Sequence, residues 1–442
     1  MTEDSPPTPA PAPEPAPVPG SLSVVVAGRV YFHVIAVAII GGFSVLGWLA
    51  LYAWFNDNVW YSDYVTSHAW VFPLICMPFS LLVGILVKHA QAPDNLEGSI
   101  LNSLTGDASK IEWRHLPATI AQSLASLWSG AVLGPEGGIG SISAQIAAFY
   151  NDKLHIPALD RPKVVFASIS SAYNGLLENA VFTGVLGTEL QNKEAAQSTL
   201  PANLLGGAIG YCIFLLLGGT GLANYLKLPP VTSFKAVDLL YVVLMALLGI
   251  VLAVITGLMM RVSAGFFGRF SDRIITRALI AGVIFSVVGA LAPIIMFSGE
   301  KQVFTILDDP KHYGAALLVV MALGKLALLS VGFKSGFLGG PTFPAIFACV
   351  CIALALNIAF PAIPLAILIA GLLAGFLVLL FKAPFMVVLL TSFMLSASAD
   401  LITLIVFAVA TVLIVQPFLA RAMAARQPAA APGSDPPATG SA

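Results

Sequence analysis

Trp128-Ser-Gly-Ala-Val-Leu-Gly-Pro-Glu-Gly-Gly-Ile-Gly-Ser141 decides the fold, with a second stretch that echoes it, Leu329-Ser-Val-Gly-Phe-Lys-Ser-Gly-Phe-Leu-Gly-Gly-Pro-Thr-Phe-Pro344. Each reads as an apolar helix that breaks at a Gly-rich turn and opens a new helix. Each is followed, about 40 residues later, by a Gly- or Pro-interrupted apolar run, Asn179–Leu190 and Lys382–Leu395. Matched interruptions in two halves of a chain are the pattern of inverted-repeat transporters.

The surrounding composition sets the medium. The 442 residues are 58% hydrophobic and 10% charged, whereas soluble domains carry about 25% charged residues. The mean hydropathy is +0.92. Such a chain cannot furnish a water-facing surface, so its solvent is lipid. The net charge of −1 gives no support to a nucleic-acid partner.

Eight apolar runs are long enough to span a bilayer or nearly so: Val30–Phe55, Trp70–Val87, Leu239–Met260, Ala278–Met296, Ala315–Phe333, Ala345–Phe360, Leu365–Phe381 and Ile402–Met423. Shorter runs, among them Leu116–Leu133, Gly137–Phe149, Ala180–Leu190 and Pro384–Leu395, are punctuated by Gly, Pro or a charge. Broken segments at membrane depth survive only where protein buries them or where they line a cavity. The expectation is an all-α polytopic membrane protein with a membrane domain over residues 29–425, in halves of roughly 29–220 and 236–425. Residues 1–28 and 426–442 form Pro/Ala-rich tails. The first 20 residues hold eight prolines and no Lys or Arg, which predicts no signal peptide. Lys88, His89, Arg421 and Arg426 follow apolar runs. By the positive-inside rule they put both termini in the cytoplasm of a cell-membrane protein.

The four cysteines, Cys76, Cys212, Cys349 and Cys351, lie in apolar stretches and read as small packed hydrophobes. The six histidines show no metal-ligand spacing, and no P-loop, GxGxxG, GxSxG or HExxH is present. No cofactor, metal or enzymatic activity is expected.

The chemistry concentrates at the Gly-rich turns. A helix N-terminus presents unpaired N–H groups and a positive dipole end, which bind an anion without a full positive charge. That suits transport, because a bound ion must also leave. Gly134–Gly140 and Gly339–Pro344 read as such helix starts, with prolines placed where a first turn tolerates them. Glu136 lies inside the first. Its carboxylate would compete with an anion for the same N–H groups, and protonation would release it, which makes a gate. A Glu that merely caps the helix is the plainer alternative. Glu189 reads equally as an internal proton-transfer acid or as an interfacial residue at a helix end. Glu178 reads as structural, and Lys325 as snorkelling or paired. Lys334 and Lys382 stand at helix breaks, as interfacial anchors or as attractors of anions.

These residues resemble the chloride channel (CLC) family of anion channels and proton/anion exchangers, over roughly residues 30–423. Gly134-Pro-Glu-Gly-Gly is similar to the family's GREGP signature, which puts Glu136 on the gating glutamate. Lys334-Ser-Gly-Phe-Leu-Gly-Gly-Pro-Thr-Phe-Pro resembles its SSGxPGGxFxP stretch, and Ala383-Pro-Phe resembles the start of a following helix. Other positions depart from the pattern. Where the family has GSGIP this chain has Glu97-Gly-Ser-Ile-Leu, with Ser99 as the serine and no proline. Thr342 replaces a Phe. No Tyr follows Tyr313, and Phe418 falls near the place of the family's late tyrosine. The internal proton acid falls on Glu189 or Gln191.

The resemblance implies about 17 broken and tilted helices in two inverted repeats, a homodimer with one pore per subunit, and passage of small inorganic anions, chloride first. Anion contacts would come from Ser99, Gly134, Gly137, Gly340, Pro341, Thr342 and Phe343, with Glu136 as gate. Protons are the second transported species if the protein is an exchanger rather than a channel. Fluoride or nitrate as the anion, and an unrelated secondary transporter, are the alternatives. The bilayer is the one obligatory partner.

Overall fold

The computed structural model describes residues 24–94, 111–218, 226–231, 233 and 235–424. Among them are sixteen α-helices. The first half supplies α1 (Val24–Phe55), α2 (Asp63–Ser67), α3 (Val71–His89), α4 (Leu116–Trp128), α5 (Glu136–Lys153), α6 (Arg161–Leu176), α7 (Phe182–Leu190) and α8 (Lys193–Leu217). The second supplies α9 (Ala236–Gly268), α10 (Ile274–Leu291), α11 (Gln302–Asp308), α12 (Pro310–Ser335), α13 (Thr342–Ala359), α14 (Leu365–Phe381), α15 (Pro384–Met394) and α16 (Ala399–Ala424). Eight helices are long and apolar enough to cross a membrane. Seven match predicted runs. The eighth, Lys193–Leu217, was missed because its first turns, Lys-Glu-Ala-Ala-Gln-Ser-Thr, mask the apolar remainder. Leu365–Phe381, read as a span, is a 17-residue helix packed inside the protein on nearly every side.

The halves repeat one packing scheme. In the first, α1, α6 and α8 pack on one another; in the second, α9, α14 and α16 do the same. Close approach in both comes from small residues rather than apolar bulk, as expected where lipid supplies no hydrophobic drive between helices. On α8, a Cβ at Gly206 would stand 2.4 Å from the Ala167 carbonyl oxygen, and one at Gly210 would stand 1.9 Å from that of Ser171. On α14, a Cβ at Gly375 would lie 2.2 Å from the Ala246 carbonyl oxygen. Leu215, Leu216, Leu258, Val262, Leu291 and Ile414 are exposed on the outside, an apolar coat suited to acyl chains.

The halves meet where α3 packs on α10 and again at their interrupted helices. After α4 the chain turns through Gly130, at φ +81°, and enters α5. After α12 it turns through Gly336, at φ +97°, and enters α13. Only glycine takes such angles at little cost. The two connecting segments then run antiparallel. The Gly134 N–H donates to the Gly340 carbonyl at 2.7 Å, and the Gly340 N–H donates back at 2.8 Å. This pairing brings the N-termini of α5 and α13 together.

Candidate anion site

Glu136 is the first residue of α5, and its side chain crosses to the other half. Oε1 accepts a hydrogen bond from the Thr342 backbone N–H, the first of α13, at 2.6 Å. The Phe343 N–H and the Thr342 hydroxyl also bear on the carboxylate. A short bond to a carboxylate belongs to the strong, charge-assisted class. The residue is only 6% exposed, and its Oε2 is buried with no hydrogen-bond partner. The carboxylate is therefore seated at the α13 N-terminus, held on one side and bare on the other.

Glycines shape the seat. A Cβ on Gly134 would lie 2.0 Å from Oε2, and one on Gly340 would lie 2.2 Å from Cδ. A Cβ on Gly137 would meet the backbone of Gly339 at 2.3 Å. Gly134 and Gly340 have no room for any side chain while the carboxylate is seated, and Gly137 has none against the Gly339 backbone. Pro341 is the residue before the first turn of α13, its missing N–H costing nothing there. Thr342 and Phe343 are buried beside it.

A second ring of groups steadies the turns. The Tyr173 hydroxyl, on α6, donates to the Glu136 backbone carbonyl at 2.7 Å. On α4, Ser126 Oγ accepts from the Leu338 N–H at 3.0 Å, and Gln122 Nε2 donates to the Gly336 carbonyl at 3.1 Å. None of these three was read from the sequence. Polar residues at 122 and 126, four apart in an otherwise apolar helix, were the available signal, since they share one face. Tyr173 carried no such signal.

Of the predicted site, the structure brings together Glu136, Gly134, Gly137, Gly340, Pro341, Thr342 and Phe343. Ser99 lies outside the described residues. Glu189 stands elsewhere: its Oε1 accepts from the Phe385 N–H at 2.8 Å and its Oε2 from the Met386 N–H at 2.9 Å, so it closes the N-terminus of α15. Gln191 accepts from the Thr199 hydroxyl at 3.2 Å, and its Nε2 is buried without a partner. Glu178 turns the chain between α6 and α7 at φ +47°. Phe418 is 65% exposed on α16. Lys325 does not snorkel. It is wholly buried, and its Nζ donates to the carbonyls of Met296 at 2.7 Å and Phe297 at 2.8 Å. Its helix is apolar around it on every side, so the ammonium reaches a neighbouring segment instead of water. Cys76, Cys349 and Cys351 are buried, while Cys212 is exposed.

The same overall fold occurs in a slow cyanobacterial Cl-/H+ antiporter, at a TM-score of 0.72 and 16% identity, with 90% of this chain and 99% of that one covered. A CLC-type fluoride/proton antiporter matches at a TM-score of 0.70 and 15% identity, covering 89% and 97%. Among relatives by sequence, the protein YfeO of Escherichia coli O139:H28, named for ion transport, is 21% identical over 319 residues, 70% of this chain and 73% of its own length. Residues 79–416 match the family model described as voltage gated chloride channel, and the chain belongs to that family.

Proposed function

We propose that this multi-pass membrane protein carries small inorganic anions, chloride first, through a seat that the Glu136 carboxylate occupies when closed. One observation carries the reading. The carboxylate lies 2.6 Å from the first N–H of α13 in a slot walled by glycines, where an anion would need the same donor. The carboxylate and the anion exclude each other by charge and by space. Protonation removes the charge that the helix end attracts, so the side chain yields and the anion enters. Anion occupancy and a proton on Glu136 are thereby linked, which is the physical requirement for exchange. Membership of the voltage-gated chloride channel family supports the anion as cargo.

Fluoride is the second reading. The Thr342 hydroxyl reaches the seated carboxylate and would offer a hard donor to a small anion. The chain is read as a homodimer in the cell membrane with both termini in the cytoplasm, and as a carrier rather than an enzyme. The test is efflux of chloride and of fluoride from proteoliposomes, with and without a pH gradient. Flux of at least one anion is expected, and uphill proton movement driven by that anion identifies exchange. Folded protein that moves neither anion refutes the reading.

A further inference from the structure

Lys334 and the cations that follow α9 have no work in the gate, and an apolar groove leads to them. The groove, of about 310 Å³, runs along the contact between α9 and α12 and opens outward. Ile255, Met259 and Val262 of α9 line one wall, at the three- and four-residue spacing of a single helix face, and Ala327 and Val331 of α12 line the other. Val262 is 74% exposed, so acyl chains reach the groove. Its only polar lining residue is Ser263.

Both walls lead toward one membrane face. Residues 269–273 join α9 to α10. Gly336, which follows α12, lies against the first turn of α10: a Cβ there would stand 2.9 Å from Arg277 Nη2. The C-terminal ends of α9 and α12 therefore lie at the same level. Asp94, just past α3, pairs with Arg277 at 3.2 Å, which brings Lys88 and His89 of the last turn of α3 to that level too. This is the face that the positive-inside rule assigns to the cytoplasm.

Helical spacing carries both walls to cations. On α12, Lys334 follows Ala327 by seven residues and Val331 by three. On α9, Phe266 and Arg269 follow Val262 by four and seven, and Arg269 keeps helical angles, φ −67° and ψ −16°. Lys334 is half-buried, and Arg269 and Arg273 are exposed. None of the three forms an ion pair among the described residues. Residues 261–277 hold four arginines and a single acid, Asp272. The surface is thus apolar toward mid-membrane and cationic toward water, the complement of a lipid with a negative headgroup.

We propose that this groove holds an anionic phospholipid, with one acyl chain between α9 and α12 and its phosphate between Lys334 and Arg269. Cations at a membrane surface draw anionic lipids, and the groove adds a seat of fixed shape for a chain. Long cationic side chains bring their charge to a headgroup while their stems cover apolar surface. The lipid would brace the end of α12, from which the polypeptide turns at Gly336 into α13.

The test is lipid binding to the purified full-length protein in detergent, with phosphatidylglycerol and phosphatidylcholine of the same acyl chains as probes. Binding is read by native mass spectrometry and by melting temperature. Wild type should hold phosphatidylglycerol roughly tenfold more tightly than phosphatidylcholine, the size expected of two cations acting on one headgroup. Arg269→Gln combined with Lys334→Gln should abolish that preference. Ala327→Phe fills the groove without changing charge and should weaken phosphatidylglycerol binding and its effect on melting temperature. Arg421→Gln, at an exposed cation elsewhere, should bind as wild type. Equal retention of the two lipids by wild type overturns the proposal. So does a double variant or an Ala327→Phe protein that binds as wild type. An Arg421→Gln protein that loses as much as the double variant also overturns it, since attraction to surface charge in general would then explain the binding. If the double variant does not fold, Arg269→Gln alone, at an exposed position, decides in its place by a partial loss of the preference.

Discussion

Replacing Gly134 by Ala tests the seat without touching the acid. A methyl group there would stand 2.0 Å from Glu136 Oε2 and 2.6 Å from Cδ. Carbon atoms in contact need about 3.5 Å, so the carboxylate must retreat by roughly 1 Å. That stretches the 2.6 Å bond to the Thr342 N–H past useful length. A bond to a charged group contributes about 1.5–3 kcal/mol. At about 1.4 kcal/mol per factor of ten, the closed state loses roughly ten- to a hundredfold in population. Gly134 is not among the residues at positive φ, so the methyl costs the backbone little. The methyl is also smaller than the carboxylate it expels. Gly134→Ala should therefore pass anion at neutral pH at nearly its acid rate, measured by ion-selective electrode as efflux from proteoliposomes. Gly340→Ala, whose Cβ would fall 2.2 Å from Cδ, should behave alike. A folded Gly134→Ala protein with the wild-type ratio of acid to neutral flux would refute the reasoning.

Tyr173→Phe removes the 2.7 Å bond to the Glu136 carbonyl, which keeps its own bond within α5. It should cost about 0.5–1.5 kcal/mol, read as a fall in melting temperature in detergent. Glu189→Gln weakens the closure of the α15 N-terminus, where two N–H groups share one carboxylate. It should cost about 1 kcal/mol, again as a lower melting temperature, with the pH profile of anion flux unchanged if capping is its only work. Gly210→Ala places a methyl 1.9 Å from the Ser171 carbonyl oxygen and must part α6 from α8. It should lower the yield of folded protein well below that of Gly257→Ala, where nothing lies within 4 Å.

The all-helical class, most spans and the heart of the site were legible because their signals are local. Gly-Pro-Glu-Gly-Gly and Gly-Gly-Pro-Thr-Phe-Pro each spell a helix start, and their likeness to one another announced that they belong together. What lay beyond reading was contact between distant segments. Nothing in Tyr173 or Ser126 says which turn it will hold, and no local pattern says that Glu189 caps α15, since the partner is 196 residues away. For Lys325 the sequence leaves snorkelling and pairing both open, because a lone Lys in an apolar helix reaches water unless a buried partner meets it. The carbonyls that hold it come from a segment 28 and 29 residues earlier. The Lys193–Leu217 span escaped because charge at a helix start dilutes the hydropathy of the whole run.

The gate itself is tested most directly by anion efflux against pH for wild type and Glu136→Gln in the same lipid. Glutamine keeps the size of the side chain and cannot carry the charge that the α13 N-terminus attracts. Wild-type flux should rise as the pH falls, and Glu136→Gln flux should be flat at or above the wild-type acid level. A Glu136→Gln protein that retains the wild-type pH dependence would contradict the assignment of Glu136 as the gate.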